Sequence, residues 1–248
     1  MAASGTRQRV DVFYDVGSPY SWLALETLWA YRGAWALDLR LRPALLGGVF
    51  KACGNMPPAL AAPFKAPQMM KDMSRAAAQW GVPVVGAPGN FVTGFSTTKG
   101  MRFLAAAAKK YGETDPRLMA LTRGVYAHTW GEAGAGKDVT LAPEALRDAA
   151  RRAGLLEDAD ELIAASASDD GKAALREATA AAVEDGAFGF PWIVVRAPFV
   201  HPLPKLGPAA KPPAEGEPLC FFGSDRFEQM AYLLGKPWAG PRGPQAKL

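Results

Sequence analysis

One stretch near the N-terminus constrains the fold most, because it combines a strand, a turn and the start of a helix. Residues 10–16 are rich in β-forming side chains, and Gly17 ends the run. Ser18 then stands at a helix N-cap position and Pro19 at the first helical position. The apolar periodicity over residues 22–28 is typical of a helix. The sequence therefore predicts a strand that runs into a helix through a serine-proline step.

The tetrapeptide Ser18-Pro19-Tyr20-Ser21 has the spacing of the C-x-x-C active site of thioredoxin-like redox proteins, with serine at both cysteine positions. Such a site cannot form and break a disulfide. A hydroxyl at a helix N-terminus lies among unpaired N–H groups, where an anion is stabilised. The site therefore suits the thiolate of another molecule, such as glutathione. The alternative is that Ser18 only caps the helix.

Composition and charge exclude several classes of function. Of the 248 residues, 49% are hydrophobic and 21% are charged, which is ordinary for a globular protein with a full core. The net charge of +4 is modest, and lysine and arginine form no basic run, so nucleic-acid binding is not indicated. No apolar stretch approaches the roughly 18 residues of a membrane span, so no membrane association is predicted.

The two cysteines, Cys53 and Cys220, and the two histidines, His128 and His201, are widely separated. Their spacing matches neither a disulfide framework nor a zinc site. We therefore expect two free thiols in a reducing compartment, and no metal. The nine N-terminal residues are too few for a convincing signal or transit peptide.

A second strand is predicted over residues 36–43, where leucine alternates with polar residues. A strand-helix-strand unit of this kind implies a parallel pair with a right-handed crossover. Residues 44–67 are dense in glycine and proline and predict a long loop, with Asn55 as its most polar point. Long loops inside compact domains are usually functional.

An alanine-rich region with helical periodicity follows. It predicts helices over 68–80 and 98–111, a third that starts at Asp115-Pro116, a fourth over 143–154 and a last over 170–185. Trp130 and the methionines 69, 70 and 73 are expected in the core or at a dimer contact rather than at a substrate. We interpret residues 68–185 as an all-helical domain inserted into an α/β domain formed by residues 1–67 and 186–248.

β character returns after residue 186. The pattern predicts a candidate cis peptide at Phe190-Pro191 before a buried strand, a surface loop over 197–218, a strand over 219–222 and a helix from about 223 to 234. Asp225 with Glu228 three residues later fits a capping box, which is the structural alternative to a binding role for Asp225.

Several motifs in this order carry a family resemblance. They are F-Y-D-V-G-S-P-Y-S-W (13–22), G-N-M-P-P (54–58), G-M-R-F-L-A (100–105), G-A-F-G-F-P (186–191), F-F-G-S-D-R-F-E (221–228) and A-Y-L-L-G-K-P-W-A-G-P (231–241). With them the chain resembles, over essentially its whole length, the kappa-class glutathione transferases, a family shared with the bacterial 2-hydroxychromene-2-carboxylate isomerases. The resemblance implies an α/β fold: a thioredoxin-like domain with an inserted all-helical domain.

The resemblance also implies a glutathione site. Ser18 matches the serine that hydrogen-bonds the glutathione sulfur and favours its thiolate, and Pro19 and Tyr20 complete the same motif. Asn55 matches a loop asparagine at the bound peptide. Phe190, before the cis-proline, matches the residue whose backbone groups pair with the cysteinyl part of glutathione.

Three further residues match the two ends of glutathione. Ser224 and Asp225 match the pair at the γ-glutamyl end, where helix N–H groups suit the carboxylate and an acid suits the ammonium group. Lys65, reached by a one-residue gap, matches a lysine near the glycyl carboxylate. Two departures stand out: the 197–218 loop is longer than usual, and Phe190 replaces a more common leucine.

The implied reaction is glutathione conjugation, in which Ser18 holds the thiolate that attacks a small electrophile beside the helical insert. One rival is a glutathione-dependent isomerase of the chromene-carboxylate type. Another is a non-enzymatic glutathione-binding or chaperone-like protein. A disulfide oxidoreductase is disfavoured, because Ser18 and Ser21 replace both cysteines.

Partners and location follow from the resemblance and from the C-terminus. Members of the family are typically homodimers and, in eukaryotes, mitochondrial or peroxisomal. The last three residues, Ala246-Lys247-Leu248, are one conservative step from the S-K-L peroxisomal address. We therefore expect a homodimer whose C-terminal tripeptide binds the peroxisomal import receptor. The expected location is the peroxisome, with the mitochondrion or cytoplasm as alternatives.

Overall fold

In the computed structural model, which describes residues 6–62, 64–204, 207 and 213–244, four strands form one sheet. They are β1 (Gln8–Tyr14), β2 (Leu37–Pro43), β3 (Trp192–Val195) and β4 (Leu219–Phe222), in the spatial order β2-β1-β3-β4. β1 and β2 are parallel, whereas β3 is antiparallel to both β1 and β4. The predicted parallel pair and both late strands are confirmed.

One helix follows β1 directly and another follows β4: α1 (Pro19–Tyr31) and α10 (Phe227–Leu234). Between β2 and β3 lie α2 (Leu46–Cys53), α3 (Pro58–Ala61), α4 (Lys65–Trp80), α5 (Thr98–Tyr111), α6 (Pro116–Trp130), α7 (Pro143–Arg152), a 3-10 turn (Leu156–Asp158), α8 (Ala159–Ala167) and α9 (Asp169–Glu184). The strands and the helices α1, α4–α7, α9 and α10 follow one another in the predicted order, whereas α2, α3 and α8 were not predicted. The domain boundaries at residues 67 and 186 stay a prediction.

Both faces of the sheet are covered by helices. On one face Val10, Val12 and Tyr14 of β1 belong to the large core that also contains the buried side of α1. On the other face Phe13 packs in a smaller cluster with Val49 of α2. Burial on both faces explains why residues 12–14, between Asp11 and Asp15, form an unbroken apolar run instead of alternating with polar residues.

The long loop predicted over residues 44–67 is wrong, because most of this segment is helical in α2, α3 and the start of α4. Glycine at 47 and 48 was the signal for a loop, but Gly48 packs against α9, where a Cβ atom would lie 2.8 Å from Thr179 Cγ2. The glycine is thus required by helix packing. Gly54 ends α2 in a left-handed conformation with φ of 72°.

One helix of the insert, α8, lies where the sequence analysis places none. Its side chains bury only Ala159, Leu162 and Ser166, and its N-cap residue makes no capping bond through its side chain. Both local signals of a helix are therefore weak in the sequence.

None of the helices in the described ranges combines the length and apolar character that a bilayer crossing requires.

The Phe190-Pro191 peptide is cis, as the sequence suggested, and the Ala197-Pro198 peptide is cis as well. The described residues of the 197–218 segment form neither helix nor strand, which agrees with the predicted loop. Lys205 and Lys211 of that loop lie outside the described residues, so the prediction that they project away from the active site rather than border it stays a prediction. The C-terminal Ala246-Lys247-Leu248 also lies outside the described residues.

Candidate functional site

Ser18 lies at the turn between β1 and α1, as predicted. It is the N-cap of α1, with Pro19 at the first helical position, and its Oγ accepts a hydrogen bond from the Ser21 N–H at 3.3 Å. The same hydroxyl donates to the Phe190 carbonyl at 3.0 Å. Ser18 therefore caps the helix and also faces the loop before β3, so the capping interpretation is correct but incomplete.

A cleft of about 1340 Å³ opens beside this turn. It exceeds the roughly 300–1,000 Å³ of most small-molecule sites, so it has room for two bound molecules side by side. All the residues that the sequence analysis assigned to glutathione line it: Ser18, Pro19, Tyr20, Asn55, Lys65, Phe190, Ser224 and Asp225. The fold thus brings residues from five separate segments to one cavity, and their binding role stays a prediction.

Two of these segments, the one with Asn55 and the one with Phe190, are joined by a hydrogen bond. The Asn55 Nδ2 group donates to the Phe188 carbonyl at 2.7 Å, and its Oδ1 accepts from the Met56 N–H at 2.9 Å. Asn55 is exposed, and Phe190 is 5% exposed. Among the described residues the Phe190 N–H donates to no acceptor.

Ser224 and Asp225 lie between β4 and α10. The capping box predicted for Asp225 is wrong, because Arg226 is the N-cap of α10 and no side chain caps this helix end. The chain turns at Gly223, with φ of 96°, and the N-cap lies one residue later than the pattern suggested. Asp225 is instead 64% exposed at the cleft, 3.5 Å from the Arg226 guanidinium in a surface ion pair that contributes little.

Positive charge reaches the cleft from α4. Lys65 is the first residue of this helix, and its exposed side chain lines the cavity. Further along the same helix, Asp72 accepts a hydrogen bond from the Tyr20 hydroxyl at 2.8 Å. Burial and the neighbouring Asp72 raise the pKa of Tyr20, so this phenol stays protonated and acts as a donor.

Aromatic side chains line much of the remaining wall. Trp80, Phe91 and Phe95 are partly buried there, while Phe64 is 87% exposed. Met69 also lines the cleft, whereas Met73, one turn further along α4, is buried as expected of a core residue; that the methionines do not contact a substrate stays a prediction. This wall suits an apolar second ligand.

Trp130 is fully buried, as expected of a core residue. Its indole N–H donates to the Val16 carbonyl at 2.7 Å, and its ring meets Phe91 edge to face at 5.1 Å between centroids. The tryptophan therefore supports both the serine turn and the aromatic wall from behind.

One buried acid of the site, Asp15, was not predicted to have a role, although it belongs to the F-Y-D-V-G-S-P-Y-S-W motif (13–22). Its carboxylate is 1% exposed and lines the inner end of the cleft. Burial raises its pKa to about 6, against the opposing effect of the hydrogen bonds that it accepts. The available signal was an acidic residue in an otherwise apolar strand end.

Neither cysteine contributes to the cleft lining, and both are exposed free thiols. Burial raises the pKa of Cys220, so this thiol is not activated. In the part of the chain that the structure describes, no group of three or more histidine, cysteine and acidic side chains is arranged to hold a metal ion.

Comparison with known proteins gives consistent matches over nearly the whole chain. A family model described as a DSBA-like thioredoxin domain matches residues 9–235. Glutathione S-transferase kappa 1 of Rattus norvegicus is 35% identical over 239 residues, which cover 95% of this chain and 94% of that protein. Glutathione S-transferase kappa 1 of Homo sapiens is 34% identical over 239 residues, with the same coverage.

A solved structure of a 2-hydroxychromene-2-carboxylate isomerase has the same fold. It aligns with a TM-score of 0.65 and 23% sequence identity, and covers 92% of this chain and 94% of that chain. At this identity the likeness concerns the fold alone. With the family match, it confirms the predicted α/β fold of a thioredoxin-like domain with a helical insertion.

Proposed function

Since the chain belongs to the kappa class of glutathione S-transferases and to the DSBA-like thioredoxin family, we propose that it binds glutathione in the cleft, ionises its thiol at Ser18 and transfers it to a small electrophile. One observation carries the proposal. The Ser18 hydroxyl stands at the positive end of α1 and lines a cleft large enough for both reactants.

The free energy required of the site is modest. A free thiol has a pKa near 8.5, and lowering it by about two units takes about 2.7 kcal/mol. A hydrogen bond from Ser18 to the thiolate contributes about 1.5–3 kcal/mol, and the dipole of α1 up to about 1 kcal/mol more. These two contributions suffice, so no nucleophile from the protein is needed.

In the bound state the Ser18 hydroxyl turns from the Phe190 carbonyl to the glutathione sulfur, while its oxygen still accepts from the Ser21 N–H. The sulfur then forms a bond to the electrophilic carbon, and the displaced group leaves with the bonding electrons. The aromatic wall of Trp80, Phe91 and Phe95 holds the apolar part of the electrophile next to the sulfur.

At each end of glutathione, a charged group pairs with a side chain of the opposite charge. Asp225 pairs with the γ-glutamyl ammonium group, and the Ser224 hydroxyl and main chain hydrogen-bond the adjacent carboxylate. Lys65 pairs with the glycyl carboxylate. The free N–H and the carbonyl of Phe190 bracket the cysteinyl residue between them.

Replacing Asp225 by asparagine is expected to weaken glutathione binding by about ten- to a hundred-fold, because a charged hydrogen bond is worth about 1.5–3 kcal/mol. Calorimetric titration with glutathione measures this. The matched control is Glu228→Gln, which removes a nearby acid of α10 that does not line the cleft. Equal affinities of the two variants would contradict the assignment of Asp225.

The function itself is tested with the unmodified protein. Glutathione is mixed with chlorodinitrobenzene, whose conjugate is followed by absorbance, and separately with 2-hydroxychromene-2-carboxylate, whose isomer is identified by product analysis. We expect conjugation. Isomerisation without conjugation would favour the isomerase alternative, and glutathione binding without either reaction would favour a binding protein.

Two expectations go with this proposal. We propose that the protein is a homodimer, which light scattering tests. We also propose that its C-terminal tripeptide directs it to the peroxisome through the import receptor, and that it detoxifies electrophiles there. Fluorescent fusions with and without residues 246–248 test this address.

A further inference from the structure

The carboxylate of Asp15 is the point at which three segments of the cleft meet. Its Oδ1 accepts a hydrogen bond from the Gly17 N–H at 2.8 Å. Its Oδ2 accepts from the Leu46 N–H at 2.8 Å and from the Thr97 hydroxyl at 3.1 Å. Each donor belongs to a different element, so one buried side chain connects them.

Each of these three segments carries a different part of the cleft. Gly17 directly precedes Ser18, the proposed thiolate donor. Leu46 begins α2, which ends one residue before the turn to Asn55. Thr97 is the N-cap of α5 and closes the segment that holds the aromatic residues Phe91 and Phe95. The contacts therefore connect the glutathione side of the cleft to its apolar side.

Nothing nearer in sequence caps α2. Its N-cap residue is Leu45, which has no polar side chain, and the Leu46 N–H is one of the first amides of the helix. Asp15, which directly follows β1 and lies 31 residues away, satisfies this amide. The ionised carboxylate can accept at both oxygens, whereas a protonated oxygen becomes a donor and opposes a main-chain N–H.

We infer that Asp15 is a positioning residue whose ionised form holds the Ser18 turn, α2 and the start of α5 in the arrangement that binds glutathione. This inference rests on the proposed function. Protonation of Asp15 in mildly acid solution therefore lowers the affinity for glutathione, and also for a glutathione derivative that has no titratable thiol.

The expected pH range follows from the burial of Asp15, which raises its pKa to about 6. If only the ionised form binds, the apparent dissociation constant at pH 5 is about ten-fold larger than at neutral pH. Because the native state holds the proton more tightly than the unfolded chain does, protonation of Asp15 between about pH 4 and 6 favours folding. A loss of affinity in this range is therefore not unfolding caused by Asp15.

The other groups near Asp15 do not titrate in this range. Its charge acts on the buried hydroxyls of Tyr14 in β1 and Tyr126 in α6, and burial raises the pKa of both phenols. From α2 and α5 it meets only the Leu46 amide and the Thr97 hydroxyl, and no cationic side chain of the described ranges pairs with it.

The experiment is calorimetric titration with S-methylglutathione between pH 5 and 7.5, for the wild type, Asp15→Asn and the control Asp38→Asn. Asp38 is a partly exposed acid of β2 outside the cleft. We expect the wild type and Asp38→Asn to lose about ten-fold in affinity at pH 5. Asp15→Asn is expected to bind weakly at every pH, with no such slope.

A second variant keeps the test valid if Asp15→Asn does not fold. Thr97→Val has nearly the same shape but lacks the hydroxyl that stabilises the carboxylate, so the midpoint of the pH profile is expected to move to higher pH. If the midpoint of Thr97→Val does not move, or if the wild-type affinity is independent of pH, the inference about Asp15 is overturned but the proposed function is not. If the wild type does not bind S-methylglutathione at pH 7.5, the proposed function itself is overturned.

Discussion

Replacing Ser18 by alanine is expected to raise the pKa of bound glutathione by about one to two units. The variant loses the hydroxyl that donates to the thiolate, and a hydrogen bond to a charged group is worth about 1.5–3 kcal/mol, at 1.36 kcal/mol per pKa unit. The dipole of α1 remains, so the pKa should return toward the free value without reaching it. Conjugation near neutral pH should fall by about ten- to a hundred-fold, with glutathione affinity changed much less.

The measurement is a titration of the ultraviolet thiolate absorbance of bound glutathione against pH. Ser21→Ala is the matched control, because Ser21 occupies the second serine position of the motif, is fully buried and does not line the cleft. If Ser18→Ala and Ser21→Ala leave the thiolate pKa equally unchanged, Ser18 is only a helix cap.

Replacing Trp130 by alanine is expected to lower the free energy of unfolding by about 3–5 kcal/mol, the usual cost of removing a large buried aromatic side chain. The ring is fully buried against Phe91, and its N–H satisfies the Val16 carbonyl just ahead of the serine turn. Truncation leaves both a cavity and an unpaired carbonyl.

Urea unfolding, followed by far-ultraviolet circular dichroism, measures this loss. The control is Trp29→Ala, since Trp29 is a partly exposed tryptophan of α1 that stacks against the Arg32 guanidinium at 4.0 Å on the surface. Trp29 is only partly buried where it packs against the core, so its loss should cost clearly less than the loss of Trp130. Comparable destabilisation by the two substitutions would show that Trp130 does not support the turn in the way described.

Elements with strong local signals could be predicted from the sequence. α5 spans residues 98–111 as predicted, and β4 spans residues 219–222. Asp115 caps α6 through a hydrogen bond to the Arg117 N–H, as its position before Pro116 indicated. In each case the deciding interactions lie within a few residues of one another, so the sequence pattern contains them.

Features that depend on distant partners could not be predicted in this way. α2 contains two glycines, and what makes it a helix is its packing on α9 and the cap supplied by Asp15. The role of Asp15 is equally hidden, because two of its three donors lie 31 and 82 residues away. The capping box predicted at Asp225 was wrong for a related reason. The chain turns at Gly223 with a positive φ, and α10 begins later than the local pattern indicated.

The site residues themselves were placed by family resemblance rather than by pattern. Composition and spacing alone left Ser18 as a helix cap or a thiolate site, and gave no reason to connect it with Asn55 or Ser224. The fold brings these residues to one cleft, together with a methionine and an acid that the sequence analysis had not placed there.

The contact of the Ser18 hydroxyl with the Phe190 carbonyl bears on how the enzyme releases its product. The hydroxyl proton already has an acceptor at 3.0 Å, so the proposed binding of glutathione would exchange one acceptor for another instead of creating a new contact. The thiolate accepts the stronger hydrogen bond of the two because it carries a negative charge. A thioether sulfur is neutral and a weak acceptor, so after conjugation the proton returns to the carbonyl. In the proposed reaction, Ser18 therefore binds the thiolate of the reactant more strongly than the thioether of the product, which favours release of the product.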